Sequence, residues 1–240
     1  LPRALKVNLR LQLFAVFAVR SQYPQKDLNE YACDSIQRIK SWIVQSQGSM
    51  KLVLKGSDLD VAFADQHSGF DPRANVEPYG KKLSVLLGLE GADPLQGRAE
   101  NVENFAELGV RNIILAWDDN EFSGSSSGSG RGLTEEGRKL IEYCQDLHVM
   151  VDVSHLSDNA FWEIAEMIRQ PFIASHSNCR SITATSRNLT DEMIRKLADK
   201  GGVLGINLYP GFLSDNYLAA WDAIAMPALE AAKTASEEEI

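Results

Sequence analysis

The stretch that decides the fold is VMVDVSHLSDNAFWEIAEMIRQPFIASHSNCRSITATSR, residues Val149–Arg187. Two short apolar runs, His148–Val153 and Pro171–Ala174, each lead into a Ser-His pair. The segment between them, Asp158–Gln170, has apolar residues on one face at helical spacing: Phe161, Ile164, Ala165 and Ile168. This order predicts a strand, a helix and a second strand parallel to the first.

The two Ser-His pairs, Ser154-His155 and Ser175-His176, follow the two predicted strands. Parallel strands joined by a helix end at the same edge of a sheet, where barrels and open α/β sheets place their chemistry. The histidines are 21 positions apart, about one strand-helix unit. We therefore expect both imidazoles to reach one common ligand.

Outside this stretch, apolar runs and amphipathic segments alternate along the chain. Six principal strands are predicted near residues 9, 83, 112, 149, 171 and 203, and a minor strand near residue 51. The alternation predicts an α/β fold with a parallel sheet. A (β/α)8 TIM-type barrel, typically about 250 residues, fits best and would lack its first and last strands in this chain. A doubly wound open sheet is the alternative, but no Gly-rich phosphate loop follows any strand.

Several local expectations can be checked against a structure. We predict a helix over Asp27–Gln45 whose inward residues are Tyr31, Ile36, Ile39, Trp42 and Ile43. Thr134 and Thr190 are predicted helix caps. Val203–Leu208 is predicted as a buried strand, and SGSSSGSG (residues 123–130) as a flexible surface loop. A loop over Gln66–Tyr79 and a last helix over Tyr217–Lys233 complete the prediction.

Size and composition predict one domain over residues 1–240, 44% hydrophobic. The opening residues lack an initiator Met and the end is acidic, which indicates a piece of a longer protein, cut at both ends. Net charge is −9 without a basic run, which argues against nucleic acid or an anionic membrane surface as a partner. No apolar stretch reaches membrane-spanning length, no signal peptide is visible, and three scattered cysteines suit a reducing compartment. We therefore predict a cytoplasmic protein.

Polar residues follow four of the predicted strands: Glu90, Trp117–Asn120, His155 and His176. Carboxylate and imidazole are usual zinc ligands, and three protein ligands leave positions open for water. Each residue alone is more often structural, and His67 and His148 are predicted to be so. A serine hydrolase is disfavoured because no G-x-S-x-G turn is present. A cysteine nucleophile is unsupported because no typical pattern flanks Cys179.

At this point the sequence resembles a known family. The phrases LGLEGADPL (87–95), LGVRNIILAWDDN (108–120), PFIASHSNCRSI (171–182) and SRNLTDEMIRKLADKGGVLGINLYPGFL (186–213) are similar to the membrane (renal-type) dipeptidases, peptidase family M19. The resemblance implies a barrel of the metal-dependent hydrolase kind, with a two-zinc centre that cleaves dipeptides. A small dipeptide would be the partner, with a homodimer left open.

The resemblance also assigns roles to residues. Glu90 would bridge two metals, and His155 and His176 would complete the second metal's ligands. Arg187 would hold the substrate carboxylate. Further substrate contacts would be Trp117, Asn120 and Tyr209, although Trp117 stands where mammalian relatives carry a histidine.

Two parts of the family pattern are missing from these residues. No His-x-Asp pair, the first metal's ligands, occurs anywhere. The Asp that serves as the catalytic base has only one similar phrase, KGSDLD (55–60), which lies too early and is predicted as a helix cap. No catalytic residue is therefore assigned, and this chain alone is expected to be weakly active or inactive. Alternatives are a lactone or N-acyl amino acid hydrolase of the same superfamily, and a non-catalytic, metal-free barrel.

Overall fold

The computed structural model describes residues 1–6, 9–63, 82–225 and 227. The predicted loop Gln66–Tyr79 and the last part of the predicted helix Tyr217–Lys233 lie outside these residues. Within them, seven strands form one sheet in which every pair is parallel. The predicted α/β class and the seven predicted strands are confirmed.

The strands are β1 (Leu11–Phe17), β2 (Met50–Leu52), β3 (Leu83–Glu90), β4 (Val110–Ile114), β5 (Met150–Asp152), β6 (Ile173–Ser177) and β7 (Val203–Ile206). The α-helices are α1 (Pro2–Lys6), α2 (Leu28–Gln45), α3 (Gly56–Phe63), α4 (Val102–Glu107), α5 (Glu135–Asp146), α6 (Asp158–Met167), α7 (Asp191–Asp199) and α8 (Asp215–Ala220). A short 3₁₀ turn, Ala99–Asn101, directly precedes α4.

The strand order is β1-β3-β4-β5-β6-β7, with β2 also paired to β3. β1 runs along one edge of β3 from Ser84 to Glu90. The opposite edge is shared, because β2 pairs with Leu83–Val85 and β4 with Leu87–Glu90. The sheet curls into a half-barrel, and β1 and β7 are its two edges. All strands end toward the same rim, so this rim is where polar side chains can meet.

Side-chain caps fix where the long helices begin. Thr134 accepts a hydrogen bond from the Gly137 N–H, and Thr190 accepts one from the Met193 N–H. Both predicted caps are confirmed, and such caps satisfy backbone donors that have no partner inside the helix. The helices cover the sheet with a core whose largest members include Phe105, Phe122, Phe161 and Phe172, all fully buried.

Three predictions of burial are wrong. β7 is not a buried strand: Val203 is 63% exposed and Ile206 61%, because β7 has a neighbour on one side only in the described sheet. Trp42 does not face inward but is 49% exposed. Residues 123–130 do not all lie on the surface, since Ser123 and Ser125 are fully buried. Strand edges and loop positions depend on distant segments, which local patterns do not encode.

No helix in the part of the chain that the structure describes combines the length and the apolar character needed to cross a bilayer.

Candidate metal centre

Three donor side chains converge at the rim of the sheet. Glu90 is the last residue of β3, His155 follows β5, and His176 lies in β6. The Glu90 Oε1 atom is 3.2 Å from His155 Nε2 and 3.8 Å from His176 Nε2. The two Nε2 atoms are 2.8 Å apart. The ligand atoms of all three residues lie within 4.8 Å of one another, a separation that one metal ion can span.

His155 reaches this point through an unusual backbone. Its φ is +73°, in the left-handed region that a residue with a side chain rarely adopts. The residue forms the turn between β5 and the Ser157 cap of α6. Its carbonyl accepts a 2.7 Å hydrogen bond from the Ser126 N–H. The strained turn thus directs the ring toward Glu90 and is held by a second segment.

His176 is positioned differently, from within the sheet. The sequence places it after the strand, but β6 continues through Ser177 and includes it. Its N–H donates to Ser154 Oγ at 3.1 Å. Its Nδ1 atom lies 2.8 Å from Ser175 Oγ. If Nδ1–H donates to this hydroxyl, the lone pair of Nε2 is free for a metal.

Asp152 is a site residue that the sequence analysis missed. Its carboxylate is fully buried, and one oxygen, Oδ1, accepts hydrogen bonds from the N–H groups of Ser154 (3.0 Å) and Ser175 (3.1 Å). One carboxylate therefore joins the backbones that precede both histidines. Its other oxygen has no hydrogen-bond partner in the described residues. The signal was visible, since an acidic residue inside the apolar run His148–Val153 needs partners when buried.

Arg187 brings a positive charge to the same region. Its Nη2 donates to the His176 carbonyl at 3.3 Å, and its guanidinium lies 5.2 Å from the Phe212 ring centroid. Burial lowers the pKa of Arg187 to about 10, although Glu90 and Asp152 oppose the shift. Arg187 therefore stays charged at neutral pH.

The electrostatics favour the protonation states that metal ligands require. Burial lowers the pKa of His155 to about 4, and burial together with the Arg187 charge lowers the pKa of His176. Burial alone would raise the pKa of Glu90, but the hydrogen bond with His155 and the nearby positive charges lower it overall. At pH 7 the site then holds an ionised carboxylate and two neutral imidazoles, each with a lone pair to donate.

A cavity of about 350 Å³ lies beside these groups. Glu90, His176 and Ser175 line it together with Asn112. Gly88 also lines it, and a Cβ there would lie 2.8 Å from Asn112 Oδ1. The cavity thus adjoins two of the three donors, and the lack of a side chain at Gly88 helps to keep it open.

The predicted substrate contacts are placed unevenly. The Trp117 ring lies 5.7 Å from the His155 ring and 5.4 Å from the Phe17 ring, at the site. The Asn120 amide makes four hydrogen bonds within the chain, so it has a structural task. Tyr209 is 42% exposed and packs on Phe212, the ring beneath Arg187. All three assignments to substrate stay predictions.

The fold and the three converging donors define an α/β half-barrel with a potential metal site. The profile of the family described as membrane dipeptidase (peptidase family M19) matches residues 1–239. The chain therefore belongs to the M19 membrane dipeptidase family, as its motifs indicated.

Individual relatives agree with this placement. An uncharacterised protein in the pqqA 5′ region of Klebsiella pneumoniae is 32% identical over 183 residues, 73% of this chain and 62% of that protein. Human dipeptidase 3 is 29% identical over 191 residues, 75% of this chain and 39% of that protein. This chain thus spans less than two thirds of the length of either relative.

A solved structure shows the same fold. The metallopeptidase from Rhodobacter sphaeroides, liganded with a phosphinate mimic of the dipeptide L-Ala-D-Ala, superposes with a TM-score of 0.75 at 21% identity. The match covers 89% of this chain and 66% of that one. The curled parallel sheet is therefore of the TIM-barrel type found in this family.

Proposed function

We propose that this chain belongs to a zinc-dependent dipeptidase and supplies part of its metal centre. The observation that carries the proposal is the convergence of Glu90, His155 and His176 at one rim of the sheet. The family membership supports a peptide-bond hydrolase, and the ligand of the Rhodobacter sphaeroides structure supports dipeptides as the substrate class.

The three residues fit a divalent metal by their chemistry. A carboxylate and two imidazoles form a borderline donor set suited to zinc. The lowered pKa values leave both histidines neutral at pH 7, so that one nitrogen of each ring has a lone pair for a metal. His155 and Glu90 are largely shielded, with side chains 13% and 19% exposed, and His176 is more open at 30%. The more open side faces the cavity, where a substrate can enter.

A bound divalent metal supplies a water of lowered pKa and polarises the scissile carbonyl. The chain's own residues provide orientation. Arg187 carries its charge beside the donor group and suits the terminal carboxylate of a dipeptide, since a guanidinium can bind a carboxylate through two hydrogen bonds. The Trp117 ring lies 5.7 Å from the His155 ring, tilted by 36° against it, and offers an apolar surface to a substrate. Tyr209 and Asn120 are kept as further proposed contacts.

A second metal would need ligands beyond this set, because the sequence contains no His-x-Asp pair. Glu90, as the family resemblance implies, would help to hold that metal as well. Homodimer formation and a cytoplasmic location, expected from the sequence, stay predictions.

The test is a titration of the purified chain with Zn²⁺, followed by an activity panel. Glu90→Gln removes one donor charge, and Glu107→Gln makes the same change on the exposed face of α4. We expect Glu90→Gln to lose metal affinity by more than the roughly 10–100-fold typical of outer partners, and Glu107→Gln to bind as the parent does. Equal affinity in both variants would contradict the centre.

The activity panel separates the candidate substrate classes. Dipeptides, lactones and N-acyl amino acids are offered to the metal-loaded chain and to the chelator-treated chain. We expect metal-dependent hydrolysis of dipeptides. Faster turnover of lactones or N-acyl amino acids would move the protein to another hydrolase activity, and full turnover after metal removal would exclude metal catalysis.

A further inference from the structure

A segment distant in sequence holds the backbone around His155. We call residues 123–131 the clasp. The Ser126 N–H donates to the His155 carbonyl at 2.7 Å, and Ser125 forms an antiparallel bridge with Leu156. The Ser157 N–H donates to the Gly124 carbonyl at 3.2 Å. The clasp therefore contacts three consecutive residues of the turn that carries a candidate metal ligand.

This turn needs external support. His155 has φ +73°, and a residue with a Cβ in the left-handed region is held there only when its surroundings impose it. Neither serine hydroxyl that supports His176 makes a hydrogen bond with His155 in the described residues. The hydrogen bond from Ser126 is thus the contact that fixes the carbonyl of this strained residue.

The clasp cannot order itself by composition, because Gly/Ser sequences behave as flexible coils. Asp119 orders it. One oxygen, Oδ1, accepts from the Ser125 N–H at 2.7 Å and from the Ser125 hydroxyl at 3.2 Å. The other oxygen, Oδ2, accepts from the Ser129 N–H at 2.9 Å. A single carboxylate therefore binds the clasp at two points on either side of Ser126.

Two further observations show that the clasp is shaped around this carboxylate. A Cβ at Gly128 would lie 2.0 Å from Asp119 Oδ1, so only glycine lets the chain close over it. Burial would raise the pKa of Asp119, but hydrogen bonds from Ser129 and Ser125 overcome burial and lower it to about 2. Asp119 is therefore ionised, and its charge strengthens these hydrogen bonds.

We propose that Asp119 is a positioning residue for His155: it orders the clasp, and the clasp holds the His155 carbonyl so that the ring faces Glu90. This inference rests on the proposed metal centre, because positioning matters only if His155 binds a metal. The Gly/Ser segment then has an ordered conformation that supports the site.

The turn geometry provides a variant that removes one hydrogen bond alone. The Gly128 N–H donates to the Ser125 carbonyl, so Ser126 occupies the second position of a four-residue turn, where proline is favoured. Ser125 lies in a β-bridge, the extended backbone that a residue before proline adopts. Ser126→Pro therefore deletes the N–H that binds His155, and Ser126→Ala is the matched control that keeps it.

The first readout is the equilibrium affinity for Zn²⁺, with the visible spectrum of bound Co²⁺ as a measure of ligand geometry. We expect Ser126→Pro to bind Zn²⁺ about 10–100-fold more weakly than Ser126→Ala, the range for lost outer partners of a metal site, with an altered Co²⁺ spectrum. Equal affinities and equal spectra in the two variants would overturn the proposal. A purely structural clasp would lower only the unfolding temperature of the metal-free protein.

Asp119→Asn provides the second test, because it keeps the shape and removes the charge. Its control is Glu121→Gln, which removes an exposed charge two positions away. We expect weaker Zn²⁺ binding in Asp119→Asn alone, and this pair decides if Ser126→Pro does not fold. An equal loss of Zn²⁺ affinity in Glu121→Gln would show that the effect comes from net charge, and it would refute the positioning role of Asp119. A wild-type chain that binds no Zn²⁺ would instead refute the metal centre itself.

Discussion

The two Ser-His pairs are identical in sequence but are supported in opposite ways. His176 lies in an extended strand and is held from inside the sheet by the hydroxyls of Ser154 and Ser175. His155 lies in a left-handed turn and is held from outside by the Ser126 N–H. Both rings nevertheless reach the same oxygen of Glu90. The comparison teaches that a repeated dipeptide marks a site without revealing how each copy is held.

The sheet register explains why the two rings meet. β5 and β6 pair Asp152 with Ile173, a separation of 21 positions that also relates His155 to His176. The two Ser-His pairs therefore lie at the same height along neighbouring chain segments, and adjacent strands lie about 4.8 Å apart. Asp152 fixes this alignment, since its Oδ1 accepts a hydrogen bond from the N–H of the serine in each pair, Ser154 and Ser175.

The largest expected effect comes from removing what the two pairs share. Asp152→Ala leaves two buried N–H groups without an acceptor, and we expect a loss of about 2–4 kcal/mol in the free energy of unfolding. Asp152→Asn keeps an oxygen in place, so its loss should be smaller. Urea unfolding of the metal-free protein at pH 7 measures both. An Asp152→Ala variant as stable as the parent would show that the pairs align without it.

A change of pH should act on the Ser154-His155 pair, because the pKa of the His155 ring is lowered to about 4. In the unfolded chain His155 takes up a proton near pH 6.5, whereas in the folded protein it does so only near pH 4. The contribution of His155 to the free energy of unfolding is therefore complete above pH 6.5. It is lost as the pH drops toward 4, a decrease of up to about 3 kcal/mol.

Unfolding of the metal-free protein between pH 7 and pH 4 checks this dependence. His155→Asn, which cannot titrate, should flatten the slope. An unchanged slope in that variant would assign the dependence to other groups.

The smallest expected effect separates the two supports of His176. Ser175→Ala removes the partner of Nδ1, and we expect Zn²⁺ affinity to fall about 10-fold because the ring loses its fixed orientation. Ser154→Ala removes the acceptor of the His176 N–H, and should cost about 1 kcal/mol in stability. Zinc titration and urea unfolding of both variants distinguish these roles. An equal change in affinity would show that the two hydroxyls act as one network.

Much of the fold could be predicted from local patterns. Alternating apolar runs and amphipathic segments predicted the seven strands, and threonines at helix starts predicted two caps. The wrong predictions concern positions whose burial depends on neighbouring segments. Val203 and Ile206 have the composition of a buried strand, yet β7 is an edge. Ser123 and Ser125 have loop composition but are buried, because Asp119 and the His155 turn enclose that segment.

The sequence by itself determined the class of the fold and predicted that Glu90, His155 and His176 would meet, since strand ends in a parallel sheet lie at one rim and these residues follow three of the predicted strands. The tertiary structure alone decided how these donors are oriented. Three features join residues that are far apart in the chain: the register between β5 and β6, the buried carboxylate of Asp152, and the clasp that Asp119 orders. Such contacts depend on which segments become neighbours, and local periodicity carries no information about that.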